Sequence, residues 1–135
     1  MGFGVAGALG AKLAAPDHPV VAVVGDSGFL MHANVVATAV EYDLPVLWIV
    51  WNNGGYVSNR DIQVGFFGKD REFATRFRSQ KSGELLTADF ALLAQSMGAQ
   101  SMGVEAARVE TLEGYAGAFR AACARRGPFL IELRI

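Results

Sequence analysis

The chain predicts an α/β domain, a three-layer α/β/α arrangement around a mostly parallel sheet. Two apolar runs, Val20–Val24 and Val46–Trp51, have the length and β-branched or aromatic content of buried parallel strands. The segments around them carry helical composition, and such alternation implies a parallel sheet with right-handed crossovers. At 135 residues the chain suits one compact domain with its own core.

Taken in order, Val5–Ala15 is rich in Ala, Leu and Lys and reads as a helix. Pro16-Asp17-His18-Pro19 stops it and turns the chain into the first strand. Asn34–Tyr42 is helical and ends before Leu44-Pro45, after which the second strand begins. Asn52–Tyr56 is a Gly-rich turn. The pattern then loosens: a short helix is expected at Ser58–Gln63, followed by irregular chain through Leu86 that includes Gly65-Phe66-Phe67-Gly68. A long loop inside a compact domain is often functional or mobile. Thr87-Ala88-Asp89 begins a helix over Phe90–Met97, closed by Gly98, and Gln100–Val104 is expected as a short strand. Thr111–Arg125 is another helix, with Thr111 as its cap and Gly127-Pro128 beyond its end. Phe129–Ile135 forms the last strand.

Composition excludes several classes. The net charge of −1 gives no support for nucleic-acid binding, which calls for a basic patch or stripe. No apolar run is long enough to span a membrane, and no basic segment followed by an apolar one marks a secretory leader. Cys123, the single cysteine, cannot form an internal disulfide; it is expected as a small buried core residue. These features suit a cytoplasmic protein. The start at Met1-Gly2-Phe3-Gly4 reads as the middle of a motif, so a piece of a longer protein or one subunit of an assembly is expected.

The candidate site follows from the strand ends. Asp26 ends the first apolar run and Asn52-Asn53 the next. Ligands of parallel α/β sheets bind beyond the carboxyl ends of the strands, and neighbouring strands lie about 4.8 Å apart. Asp26 and Asn53 can therefore share one small ligand, and both offer the oxygen donors a hard cation such as Mg²⁺ requires. Plainer roles exist for each: Asp26 as a helix N-cap, Asn-Asn-Gly-Gly as a turn.

Three motif readings compete. Gly2-Phe3-Gly4-Val5-Ala6-Gly7 matches G-x-G-x-x-G, the pattern of a Rossmann-type dinucleotide site, but no strand precedes it. Gly25-Asp26-Ser27-Gly28 resembles the nucleophile segment of chymotrypsin-like proteases, which are β-barrels and need a histidine in reach; His18 lies at the wrong end of its strand and His32 too near in sequence. The third reading spans nearly the whole chain. Gly25-Asp26-Ser27 followed by Asn52-Asn53 resembles the signature of thiamine-diphosphate enzymes, Gly-Asp-Gly and then Asn-Asn. Met1-Gly2-Phe3-Gly4, Phe29-Leu30-Met31, Leu44-Pro45-Val46, Asp89-Phe90-Ala91 and Gly127-Pro128-Phe129-Leu130-Ile131-Glu132 resemble the acetolactate synthase and pyruvate decarboxylase group in order and spacing. Ser27 departs from the usual Gly, but Gly28 follows at once.

The resemblance implies that residues 1–135 form the diphosphate-binding domain, with thiamine diphosphate and Mg²⁺ as cofactors. Asp26, the Asn53 side-chain oxygen and the Gly55 carbonyl would hold the metal. Gly25, Ser27 and Gly28 would face the diphosphate, the amides of Ser27 and Gly28 from a helix N-terminus. Met1 would wedge the cofactor into its bent shape, and Tyr56 would begin a helix roofing it. Val57 and Asn59 would face a small 2-oxo acid substrate, which the full enzyme would decarboxylate or join to a second carbonyl compound. The resemblance places the activating glutamate on a pyrimidine-binding domain of the same or another subunit, in a homo- or hetero-oligomer. A non-catalytic cofactor-binding module is the rival.

Overall fold

The computed structural model describes residues 1–98 and 104–135. Helix α1 (Phe3–Ala14) leads into strand β1 (Val20–Gly25), then come the short α2 (Asp26–Leu30), α3 (Val35–Glu41), β2 (Val46–Asn52) and α4 (Val57–Phe67). After a 3-10 turn at Lys69–Arg71 follow α5 (Phe90–Ser96), β3 (Glu105–Val109), α6 (Leu112–Ala124) and β4 (Phe129–Arg134). The four strands form one sheet in the order β1-β2-β4-β3, every pair parallel.

Two apolar cores flank the sheet. On one face Trp48, Val50 and Leu130 pack with Val5 of α1, Phe29 of α2, Val36 of α3 and Phe90 of α5. The rings of Phe29 and Phe90 meet edge to face at 5.8 Å, a favoured aromatic geometry. Trp48 is fully buried, and its indole N–H donates to the Val5 carbonyl (3.2 Å), joining the centre of the sheet to α1. On the other face Leu47, Ile49, Phe129 and Ile131 pack with Ala122 of α6, flanked by Tyr115 and Phe119.

Local chemistry explains the helix ends. The Asp89 carboxylate accepts from the Leu92 N–H (2.8 Å) at the start of α5, and the Thr111 hydroxyl from the Gly114 N–H (3.1 Å) at the start of α6. Each satisfies one of the orphan amides every helix N-terminus carries.

Several expectations change. Strand β1 is an edge, not a buried strand: Val21 and Val23 are 45 % and 61 % exposed. A β-branched run announces extended backbone but not how many neighbours will cover it. Cys123 is exposed rather than core; Ala122 takes the inward position, and the next residue is rotated away at 3.6 residues per turn. Helix α4 runs past Gln63 to Phe67, so Gly65-Phe66-Phe67 is helical and only Gly68 (φ +85°) breaks away. The expected strand at Gln100–Val104 lies outside the described residues except for Val104, which precedes the actual strand β3. That strand, Glu-Ala-Ala-Arg-Val, carries too little apolar character to announce itself.

Candidate functional site

The register of the sheet assembles the site. Gly25 stands opposite Trp51, so β1 and β2 leave the sheet side by side. Asp26 and Asn53 follow at these carboxyl ends. They line one cavity of about 120 Å³ together with Met1, Gly25, Ser27, Gly55, Tyr56, Val57, Ser58 and Asn59. Nine of these ten were candidates from the sequence; Ser58 is new. Gly28 lies outside the lining, beside Gly2: a Cβ on it would stand 3.7 Å from the Gly2 nitrogen. Met1 is largely exposed at the rim. His32 is not among the lining residues; its ring lies against Gly2, where a Cβ would come within 2.2 Å of Nδ1.

Asp26 is 1 % exposed. Its Oδ1 accepts from the Ser27 N–H (2.6 Å) and its Oδ2 from the Gly55 N–H (2.9 Å). It occupies the first helical position of α2, where an acidic side chain complements the helix dipole, and Gly25 is the cap residue. A carboxylate offers about four lone-pair sites, so both oxygens retain room for a cation. The Ser27 amide, expected to face a phosphate, here serves Asp26.

Asn53 supplies the sharper signal. Its Oδ1 is buried and accepts no hydrogen bond. Buried polar atoms are almost always satisfied, and an orphan calls for a partner of its own. Asn52, by contrast, has partners at its side-chain amide nitrogen and its backbone carbonyl. Its side-chain amide donates to Glu132 Oε1 (2.8 Å), and its carbonyl accepts from the Ile135 N–H (3.2 Å). Among the described residues no group of three His, Cys, Asp or Glu side chains could hold a metal. One carboxylate, one amide oxygen and backbone oxygen suit a hard cation such as Mg²⁺ rather than a Zn²⁺-type cage.

The turn between them is held from the far side by the segment that reads as irregular in the sequence. The Tyr56 N–H donates to the Thr75 carbonyl (2.7 Å) and the Phe77 N–H to the Gly54 carbonyl (3.0 Å). The rings of Tyr56 and Phe77 meet edge to face at 5.6 Å. Gly55 sits between Asp26 and this segment at φ +153°, where a Cβ would fall 2.3 Å from the Thr75 oxygen. Only glycine fits there. Helix α4 then leaves the cavity with no residue buried; Phe66 is 81 % exposed. On this helix the Arg60 guanidinium pairs with the neighbouring Asp61 carboxylate (3.4 Å).

The glycines of the G-x-G-x-x-G match have a packing role. Gly4 lies inside α1, and a Cβ there would stand 3.0 Å from Val24 Cγ1 of β1. The protease likeness of Gly25-Asp26-Ser27-Gly28 ends with the parallel sheet, which is not a β-barrel.

Comparison with known proteins gives the chain's family and agrees with its fold. A model of the family described as thiamine pyrophosphate enzyme, C-terminal TPP binding domain, matches residues 1–133. A 3D-(3,5/4)-trihydroxycyclohexane-1,2-dione hydrolase of Halalkalibacterium halodurans is 33 % identical over 135 residues, covering 100 % of this chain and 20 % of that protein. A probable acetolactate synthase large subunit of Methanococcus aeolicus is 32 % identical with the same coverage. Among solved structures, the thiamine diphosphate-dependent 4-hydroxybenzoylformate decarboxylase of Rhodococcus jostii superposes with a TM-score of 0.80 at 30 % identity, over 99 % of this chain and 23 % of that one. The chain spans about a fifth of the length of the curated relatives it matches.

Proposed function

The chain belongs to the thiamine pyrophosphate enzymes as their C-terminal cofactor-binding domain, and from that premise we propose that it holds the diphosphate end of thiamine diphosphate through Mg²⁺. One observation carries the reading. A buried carboxylate and a buried amide oxygen without a protein partner line one cavity at adjacent strand ends. Asp26, Asn53 and the Gly55 carbonyl would be the protein's ligands to the metal. Gly25 and the Ser27 hydroxyl would face the phosphates from the cavity lining, whereas Gly28 stands outside it; Met1 and Tyr56 would flank the cofactor.

Thiamine diphosphate, when bound, supplies a nucleophilic carbon and holds the electron pair released on decarboxylation. The residues of this chain bind and orient. Asp26 and Asn53 would fix the metal, whose charge would offset that of the phosphates in a chain of near-neutral net charge, −1. Val57 and Asn59, on the α4 side of the cavity, would face the substrate. Neither carries an acid; by the family resemblance, the glutamate that activates the cofactor would come from a pyrimidine-binding domain of the same or another subunit. The whole protein is then a 2-oxo acid decarboxylase or an acetolactate-synthase-like carboligase. The hydrolase relative supports a second reading, cleavage of a cyclic 1,2-dione. Both substrate classes present two adjacent carbonyl carbons.

Calorimetric titration with thiamine diphosphate tests the binding claim. Uptake should require Mg²⁺ and vanish in Asp26→Ala; metal-independent uptake, or tight NAD binding instead, would sink it. Co-expression with a pyrimidine-domain partner tests catalysis. If neither a 2-oxo acid nor a cyclic dione is consumed with cofactor and Mg²⁺ present, a non-catalytic binding module is the better description.

A further inference from the structure

Glu132 is fully buried in β4, opposite Val50, within an apolar run. A carboxylate there is costly unless every oxygen is satisfied. Four donors converge on it. Asn52 Nδ2 (2.8 Å) and Arg134 Nε (3.3 Å) reach Oε1; Arg108 Nε (3.1 Å) and the Ala91 N–H (3.3 Å) reach Oε2. Arg108 also pairs with Asp89 (2.6 Å), the cap of α5. The Oε2 side thus ties β3 and α5 to β4. The Oε1 side holds the last residue of β2.

That last residue is Asn52, and the next is Asn53. The β4 end of the chain grips Asn52 twice, at its backbone carbonyl through Ile135, the residue after the strand, and at its side chain through Glu132. With Asn52 immobilised at both groups, the backbone entering Asn53 has little freedom, and the unpartnered Asn53 Oδ1 is held beside the cavity. We propose that Glu132 is a positioning residue for the cation site, acting through Asn52 to set the direction of the Asn53 oxygen. The proposal rests on the reading of Asp26 and Asn53 as ligands of a divalent cation.

The test uses Mg²⁺ titration at fixed thiamine diphosphate, followed by calorimetry, beside the urea midpoint of each variant. Glu132→Gln keeps the shape but offers one oxygen where four donors need two. It should raise the Mg²⁺ concentration for half-saturation about tenfold, the scale of outer-shell losses at metal sites, with full cofactor binding restored at saturating Mg²⁺. Asn52→Ala should shift it alike, and the double variant should be no worse than either single one, as for residues acting through one contact. Arg108→Ala breaks the α5 side only: its urea midpoint should fall while its Mg²⁺ titration stays at wild type. A purely architectural Glu132 predicts the reverse grouping, with Glu132→Gln and Arg108→Ala losing stability together and neither moving the Mg²⁺ titration; that result overturns the proposal. If Glu132→Gln does not fold, Asn52→Ala decides, and a wild-type titration in it overturns the proposal. Asp26→Ala separates the two claims. Loss of Mg²⁺-dependent binding there, beside wild-type titrations in Glu132→Gln and Asn52→Ala, sinks the positioning role alone. Binding retained in Asp26→Ala, or no Mg²⁺-dependent binding in the wild type, sinks the cation site and the proposal with it.

Discussion

Replacing Gly55 with alanine should be among the more damaging single-methyl additions in this chain. The new Cβ would lie 2.3 Å from the Thr75 oxygen and 2.9 Å from Arg76 Cα. Both are backbone atoms, so no side-chain rotation relieves the contact. Either the 75–77 segment withdraws or the turn moves toward Asp26. The first course breaks the Tyr56 N–H bond to Thr75 (2.7 Å). The second breaks the Gly55 N–H bond to Asp26 (2.9 Å) and leaves a buried carboxylate short of a donor. An unsatisfied buried group costs about 1–3 kcal/mol, and an unfavourable backbone region about 1–3 kcal/mol more. A loss of about 3 kcal/mol is therefore expected. With a urea slope of about 1.5 kcal/mol/M, the unfolding midpoint read by tryptophan fluorescence should fall by about 2 M. Gly54→Ala is the control. It has a positive φ of +77° but nothing within 4 Å, so it carries only the left-handed penalty of about 1 kcal/mol. Equal midpoints for the two variants, or Gly55→Ala within about 0.5 kcal/mol of wild type, would show that the clasp against Thr75 does not hold the turn.

Three further outcomes are expected. Gly117→Ala, inside α6 with open space around its Cα, should raise stability by about 0.5–1 kcal/mol in a urea melt. Trp48→Ala removes the largest buried side chain and its bond to Val5, and should cost about 3–5 kcal/mol by the same measurement. The Leu92 N–H, and then Arg108, hold the Asp89 carboxyl below its ordinary 3.8. A depressed folded pKa stabilises above the unfolded value and loses that contribution as pH falls through the folded one. The stability advantage of wild type over Asp89→Asn should thus be constant near neutrality and shrink below about pH 4; an advantage that grows on acidification would contradict the cap geometry.

What the sequence made legible was local. Val20–Val24 and Val46–Trp51 carry their periodicity in consecutive residues, so their ends, and the oxygen donors placed there, could be read directly. The order β1-β2-β4-β3 could not, because nothing in a β-branched run says that β1 will lie at an edge. Thr75 is the clearer failure. It stands in a stretch without period, and its role depends on which distant backbone it meets. Gly55 carried the only trace of that encounter, and a glycine in a turn has a simpler explanation. Glu132 was hidden differently: one charge in Phe-Leu-Ile-Glu-Leu-Arg looks like an outward-facing strand position, whereas four donors from β2, β3, β4 and α5 keep it inside. Cys123 failed by a single residue of helical rotation.

The segment from Phe73 to Leu86 does two jobs at its two ends. Thr75, Arg76 and Phe77 meet the Gly54–Tyr56 turn, whereas Ser79–Glu84 closes on itself: Ser79 donates its N–H to Glu84 and accepts from Gly83. Chain length is therefore constrained unequally within a dozen residues. A few residues inserted between Gln80 and Ser82 would lengthen an exposed tip and leave the clasp in place, which makes that tip a tolerant attachment point for a dye or an affinity tag. One residue inserted between Ala74 and Phe77 would shift the register against Gly55 and open the wall of the cavity. Drift in length should accumulate at the first place and be purged at the second.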